Sequence, residues 1–161
     1  MRSHLFLLAL GLVFLACGPA PQQTTTVEAD VDAVNALLEQ VVKAFNAGDV
    51  DAFMDCFADD AVWMLPSQPA ITGREAARTW YQDLFERTAF DVTAHTEDLM
   101  VAGEWAYARR SYKGEAFRRA AGERISRSSK RISILHRQTD GAWKIAHDIW
   151  NSDTPPPEPD R

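Results

Sequence analysis

The stretch "DGAWKIAHDIWNSD", near the end of the chain, combines groups that transfer protons with groups that bind ligands. His147 and Asp148 are adjacent in it, and an imidazole that titrates near neutral pH can both accept and release a proton. Successive side chains of a strand point to opposite faces, so both residues face one side only across a bulge. Taking Trp150 as inward places Asp148 inward, whereas the pattern of Trp143 and Ile145 places His147 inward. The facing of these two candidate catalytic residues therefore stays open, and ordering of the sheet is the alternative role for His147.

A second set of residues has side chains suited to lining a binding pocket. An arginine there would bind a carboxylate, because its planar guanidinium matches the two oxygens. The alternative for Arg109 or Arg131 is a cation on the outer sheet face or at a dimer interface. Tryptophans more often pack in a core than recognise a ligand, although one side chain can do both as a pocket wall. The predicted ligand-binding residues are Trp63, Leu65, Tyr81, Tyr107, Arg109, Arg131, Ser133 and Trp150.

The sequence predicts no metal site, no cofactor and no nucleic-acid partner. The histidines, which are His4, His95, His136 and His147, have neither i, i+4 helical spacing nor the cysteine partners of zinc sites. A glycine-rich phosphate loop and a serine-nucleophile motif are also missing from the sequence. The chain has 17 basic and 23 acidic residues, a net charge of −6, and no basic stripe that would bind nucleic acid.

Hydrophobic periodicity predicts three helices before any long strand. Apolar residues at helical spacing favour a first helix over residues 27–47, which Gly48 ends. Asp49 is suited to cap a second, short helix that extends through Phe57. After the strand-like "AVWML", a third helix is expected from about Thr72-Gly73 to Arg87.

From Phe90 onward the helical period disappears, and four strand-length segments follow. Turn signals separate them at 102–103, 121–122 and 140–141, and the last of these predicts a tight hairpin. Strands that cluster after helices are typical of the α+β class. We therefore predict three N-terminal helices packed on a strongly curved, mainly antiparallel sheet, with a cavity between the helices and the concave face of the sheet.

The first residues predict export and a lipid anchor. Arg2 precedes an apolar run over residues 5–16, which is shorter than the roughly 20 residues of a membrane-spanning helix and is typical of a signal peptide. The run ends in "FLAC", which resembles a bacterial lipobox with Cys17 as the lipidated residue. An ordinary cleaved signal peptide is the alternative. This organisation predicts a cell-envelope lipoprotein that faces the periplasm.

The predicted boundaries divide the chain into four parts. Residues 1–16 form the signal peptide, and residues 17–26 form the lipidated cysteine with a flexible, polar linker. Residues 27–153 form one folded domain, and residues 154–161 form a proline-rich tail that is expected to be disordered.

Four blocks of sequence resemble the SnoaL-like branch of the nuclear transport factor 2-like superfamily. They are "AFNAGDVDAFMDCFADDAVWMLP", "ITGREAARTWY", "GEWAYARRSY" and "TDGAWKIAHDIWNSD", in the family's order. The resemblance implies a cone-shaped α+β fold with a pocket, and frequent dimerisation through the outer face of the sheet. It does not imply one activity, because members of this superfamily include isomerases, cyclases, dehydratases, hydrolases and association domains.

Ketosteroid isomerase, a relative with well-defined chemistry, provides a test of the enzyme hypothesis. Its mechanism needs a carboxylate base, and a tyrosine and a protonated aspartate that stabilise an oxyanion. The positions in this chain that resemble those three are Leu65, Val41 and Ser133, none of which supplies the required group. The isomerase mechanism is thereby excluded, while a pocket tryptophan of the isomerase corresponds to Trp150.

Three functions remain after this test. The first is binding of a small, mostly apolar molecule in the cone pocket, with a carboxylate as a candidate polar group. The second is a lyase or isomerase that uses His147 or Asp148. The third is a dimerising interaction module of the envelope.

Overall fold

The computed structural model describes residues 26–153, so the signal segment, Cys17 and the proline-rich tail lie outside it. The helices are α1 (Val27–Ala47), α2 (Val50–Met54) and α3 (Arg74–Arg87). The strands are β1 (Phe57–Met64), β2 (Ile71–Thr72), β3 (Thr88–Ala102), β4 (Trp105–Arg118), β5 (Glu123–Arg137) and β6 (Trp143–Ser152). This order confirms the predicted α+β class. No helix within the described range is long and apolar enough to cross a membrane.

The helix ends follow the predicted capping chemistry. Gly48 adopts a left-handed conformation at φ 65°, and its N–H donates to the carbonyls of Ala44 and Phe45. The Asp49 side chain accepts a 3.0 Å hydrogen bond from the N–H of Ala52. Because the C-cap of α1 and the N-cap of α2 are adjacent residues, α1 ends and α2 begins without an intervening loop.

The prediction that the second helix extends through Phe57 is wrong. α2 ends at Met54, and Phe57 already belongs to β1, where it pairs with Ile145 of β6. The N–H of Ile145 donates to the Cys56 carbonyl over 3.0 Å. Pairing with β6 satisfies backbone groups that a further helical turn would otherwise have used.

Six strands form one sheet in the order β2-β1-β6-β5-β4-β3. Only β1 and β6 run parallel, and the other neighbouring pairs are antiparallel. The register shifts between Thr96 and Asp98 on β3, and it shifts again on β6 between Ile145 and His147. Irregularities of this kind bend strands and increase local twist, so they help to curve the sheet around the helices.

An aromatic cluster fills the core beneath the helices. Phe53 is fully buried, and its ring centroid lies 4.6 Å from that of Tyr81, 5.0 Å from Phe57, 5.7 Å from Phe45 and 5.9 Å from Phe85. Aromatic pairs at these separations add to the stabilisation from burial alone. Tyr81 is therefore held in place by the core.

Beside this cluster, Cys56 is fully buried and behaves as a small apolar residue. Burial raises the pKa of its thiol to about 11, although Lys144 acts in the opposite direction. The thiol therefore stays protonated at neutral pH.

Candidate functional site

A cavity of about 330 Å³ lies between α1, α3 and the concave face of the sheet. Its volume is near the lower end of the range for small-molecule sites, roughly 300–1,000 Å³. Exposed lining residues at its opening include Gln68 and Arg127. Most of the wall is apolar and includes Val41, Phe45, Leu65, Trp80, Leu84 and Phe90.

Three polar side chains line the buried part of this cavity. Tyr81 projects from α3, Tyr112 from β4 and Arg131 from β5. Tyr81 and Tyr112 are buried, and the Arg131 side chain is 11% exposed. Buried polar groups normally have hydrogen-bond partners, yet Nε of Arg131 has none within residues 26–153. One residue of the cavity wall therefore carries a buried donor that has no acceptor among the described residues.

Asp148 supports Arg131 from behind the wall. Its side chain is fully buried, accepts a 2.8 Å hydrogen bond from Oγ of Ser133, and has Oδ2 at 3.2 Å from Nη1 of Arg131. That oxygen makes no aligned hydrogen bond with any described residue, so the contact is an ion pair. Asp148 does not line the cavity and is a positioning group for the guanidinium.

A second guanidinium lies next to this pair. Nη1 of Arg110 donates to the Leu38 carbonyl over 3.0 Å and to the Tyr112 hydroxyl over 3.2 Å. Cζ of Arg110 lies 5.4 Å from the centre of the Tyr112 ring, and Cζ of Arg131 lies 5.0 Å from it. Both cations therefore use the same aromatic ring, which places them close to one another.

The environment fixes the protonation of the two cavity donors. Burial raises the pKa of Tyr81, an effect that the nearby Arg131 only partly opposes, so the hydroxyl stays protonated. Burial alone would lower the pKa of Arg131, but Asp148, Tyr112 and Tyr81 raise it. The cavity therefore presents an uncharged hydroxyl donor beside a permanent cation.

A bulge in β6 resolves the conflicting cues for His147 and Asp148. Ile134 pairs with His147 and Leu135 with Ile145, which leaves Ala146 as the extra residue. Trp143, Ile145, Asp148 and Trp150 consequently all face inward, while His147 lies opposite exposed Ile134 on the outer face. The two candidate catalytic residues therefore face opposite sides of the sheet.

The predicted ligand-binding residues divide into three groups. Leu65, Tyr81, Arg131 and Trp150 line the cavity. Trp63 and Ser133 are fully buried nearby without lining it. Tyr107 and Arg109 lie outside it: Tyr107 donates to Oδ2 of Asp98 over 2.6 Å, and Arg109 is exposed.

Two polar residues that the sequence analysis did not select belong to the site or support it. Arg110 and Tyr112 share the inner face of β4 with buried Ala106 and Ala108. The alternation of those alanines was the available signal, because small residues fit where helices pack closely on a concave sheet. Tyr107 and Arg109 alternate with these inward residues along β4 and therefore lie on its outer face.

The outer face of the sheet carries an exposed apolar surface. Ile132 pairs with Ile149 and Ile134 with His147, and these isoleucines are 37–42% exposed. At its margin, Trp105 is 47% exposed and stacks on His136 with ring centroids 4.1 Å apart. We refer to Ile132, Ile134, Ile149 and Trp105 as the outer apolar surface.

Comparison with known families gives a match over most of this fold. The model described as the SnoaL-like domain matches residues 38–147, which include α1 from Leu38 onward, every strand up to the middle of β6, and the inner residues of the cavity wall. No curated protein sequence matches the chain.

Solved structures share the fold at low sequence identity. A ketosteroid isomerase-like protein from Erwinia carotovora atroseptica superposes with a TM-score of 0.74 at 24% identity, over 78% of this chain and 98% of that one. A nuclear transport factor 2-like superfamily protein from Salmonella enterica gives 0.71 at 14% identity, over 81% and 95%. A hexachlorocyclohexane dehydrochlorinase from Novosphingobium barchaimii gives 0.70 at 17% identity, over 82% and 93%. These similarities establish the cone-shaped fold and no particular activity.

Proposed function

Because this chain belongs to the SnoaL-like domain family, which sets no single chemistry, we propose from its own cavity that it binds a small, mostly apolar molecule. The observation that carries the proposal is the cavity of about 330 Å³ whose wall is mostly apolar with a few inward polar groups. That combination is typical of small-molecule sites, where apolar burial supplies affinity and sparse polar groups fix orientation.

The placement of the candidate catalytic residues favours binding over acid/base catalysis. Among the described residues that line the cavity, none is a carboxylate or a histidine. His147 faces the opposite side of the sheet, and Asp148 lies behind Arg131 and Ser133. A lyase or isomerase mechanism that uses either residue therefore has no direct route to a molecule in the cavity.

Filling the cavity tests the binding proposal. Leu84→Trp adds a large side chain to the wall and should weaken binding of the neutral fluorophore phenylnaphthylamine by about tenfold or more, a loss of at least 1.4 kcal/mol. The matched control is Gln82→Trp on the exposed side of the same helix, which should bind as the wild type does. Fluorescence titration measures both, and equal affinities in all three proteins would contradict cavity binding. Native mass spectrometry of the purified protein would identify a ligand that co-purifies.

We also propose that a second copy of the chain covers the outer apolar surface. Exposed isoleucines on neighbouring strands and the adjacent Trp105 support this, since contiguous exposed apolar groups commonly mark interaction surfaces. A homodimer would bury them without closing the cavity, which opens on the other face of the sheet. Sedimentation analysis measures the oligomeric state: the wild type should be a dimer, and Ile134→Lys, which places a charge in the proposed interface, should be a monomer. A monomeric wild type would contradict the proposal.

Export and anchoring through Cys17 remain proposals that rest on the sequence. Replacing Cys17 with serine removes the proposed lipidation site and should move the protein from the membrane fraction to the soluble periplasmic fraction. Fractionation followed by immunoblotting measures the change. Continued need for detergent to extract the Cys17→Ser protein would contradict the lipoprotein assignment.

A further inference from the structure

The inward polar groups carry a charge that no group in the described chain neutralises. Arg110 bonds only to uncharged acceptors, and its buried Nε has no partner among residues 26–153. Arg131 has one carboxylate neighbour, Asp148. Two buried guanidinium groups against one buried carboxylate leave a single buried positive charge beside the cavity. An uncompensated buried charge is unfavourable, and a bound anion would offset that cost.

The hydrogen-bonding groups around the cavity are donors, so they also favour a ligand that carries an acceptor. Nε of Arg131 is a buried donor without an acceptor. The Tyr112 hydroxyl accepts from Arg110, which leaves its own proton available to donate. Tyr81 supplies a further hydroxyl at the cavity wall. All three donor-bearing side chains line the same cavity, so an acceptor on the ligand would find donors within one site.

Resting on the proposed binding function, we propose that the ligand is an apolar monocarboxylate whose carboxylate is bound by Arg131, Tyr81 and Tyr112. A single negative charge matches the single buried positive charge that remains unneutralised, whereas a phosphate dianion would exceed it. A planar carboxylate also fits a guanidinium held in fixed orientation by Asp148. The apolar part of the ligand then lies against Phe45, Trp80 and Leu84 toward the opening.

Three probes with the same chain and different head groups test this assignment. Octanoate, octanol and octylamine are titrated by calorimetry into the wild-type protein at neutral pH. Octanoate should bind about tenfold more tightly than octanol, because a hydrogen bond to a charged group is stronger than one to a neutral group, and octylamine should bind most weakly. Equal affinities for octanoate and octanol would overturn the carboxylate assignment and leave the proposed function standing. Failure of all three to bind would contradict the proposed function itself.

Substitution of Arg131 tests whether this residue binds the carboxylate of the ligand. Arg131→Met should retain octanol binding and lose the preference for octanoate, whereas Arg109→Met, which removes the same charge from the outer face, should leave the preference intact. If Arg131→Met does not fold, the double variant Arg131→Met/Asp148→Leu replaces it, since this variant leaves neither charge of the pair unpaired. A retained preference for octanoate in the folded variant would overturn the assignment.

Asp148 gives a test with the opposite sign. Asp148→Asn keeps an acceptor for Ser133 and removes the negative charge that partly neutralises Arg131. Octanoate should bind severalfold more tightly to this variant, while octanol affinity should not change. A purely structural role for Asp148 predicts equal weakening of both probes, and that result would overturn the charge argument.

Discussion

Gly114→Ala is expected to lower the free energy of unfolding by on the order of 4 kcal/mol, through backbone strain and steric overlap together. A β-carbon at this position would lie 2.1 Å from the Asp91 carbonyl oxygen and 2.7 Å from Cα of Val92. Both atoms belong to the backbone of β3, so no side-chain rotation relieves the overlap. Gly114 also has φ 154°, which alanine rarely adopts.

The strand opposite Gly114 cannot easily move away. Val92, its partner in the register, is held from the other side by Asn46 of α1. Nδ2 of Asn46 donates to the Val92 carbonyl over 2.8 Å, and Oδ1 accepts from the Val92 N–H over 3.0 Å. Retreat of β3 would break both hydrogen bonds and disturb Phe90 and Val92 at the cavity wall.

The matched control is Gly103→Ala. Gly103 has φ 63°, but a β-carbon there meets nothing within 4 Å. Its substitution should cost only about 1 kcal/mol from the left-handed conformation. Urea unfolding followed by tryptophan fluorescence compares the two variants. Equal losses would show that the close approach of β3 and β4 does not limit stability.

Local physical signals account for most of the fold. The helical period marks α1 and α3, and the capping residues Gly48 and Asp49 mark a boundary that the structure reproduces. These features depend on neighbouring residues, so the sequence contains them directly. The end of α2 depends instead on pairing with β6, nearly ninety residues away, and the sequence prediction placed it too late.

The candidate site was harder to predict because facing depends on register. On β6, the bulge at Ala146 places Ile145 and Asp148 on one face although they are three positions apart. No residue type in the sequence indicates that bulge. Strict alternation therefore places His147 outward when counted from Trp150 and inward when counted from Ile145. On β4, the prediction selected Tyr107 and Arg109, which lie on the outer face. The inward residues are Arg110 and Tyr112, because facing alternates with each residue of a strand.

Arg131→Met and Asp148→Leu should each cost about 3–5 kcal/mol of stability, because each leaves the other charge of a buried pair without its partner. In Arg131→Met, the Asp148 carboxylate would stay fully buried without its cation. Only Ser133 would remain as its hydrogen-bond partner. In Asp148→Leu, the Arg131 guanidinium would keep its contact with the Tyr112 ring, and this contact offsets a small part of the lost stability. Urea unfolding at neutral pH measures each value.

The double variant Arg131→Met/Asp148→Leu should recover much of that stability, since apolar side chains of similar volume commonly replace a buried ion pair at little cost. Non-additive losses in the cycle would measure the coupling between the two residues. Losses that simply add would contradict direct coupling across the 3.2 Å contact. Recovery of stability together with loss of the preference for octanoate would separate two roles of the pair. The fold would then be shown not to need the two charges, and their remaining effect would be to hold a cation at the wall of an otherwise apolar cavity.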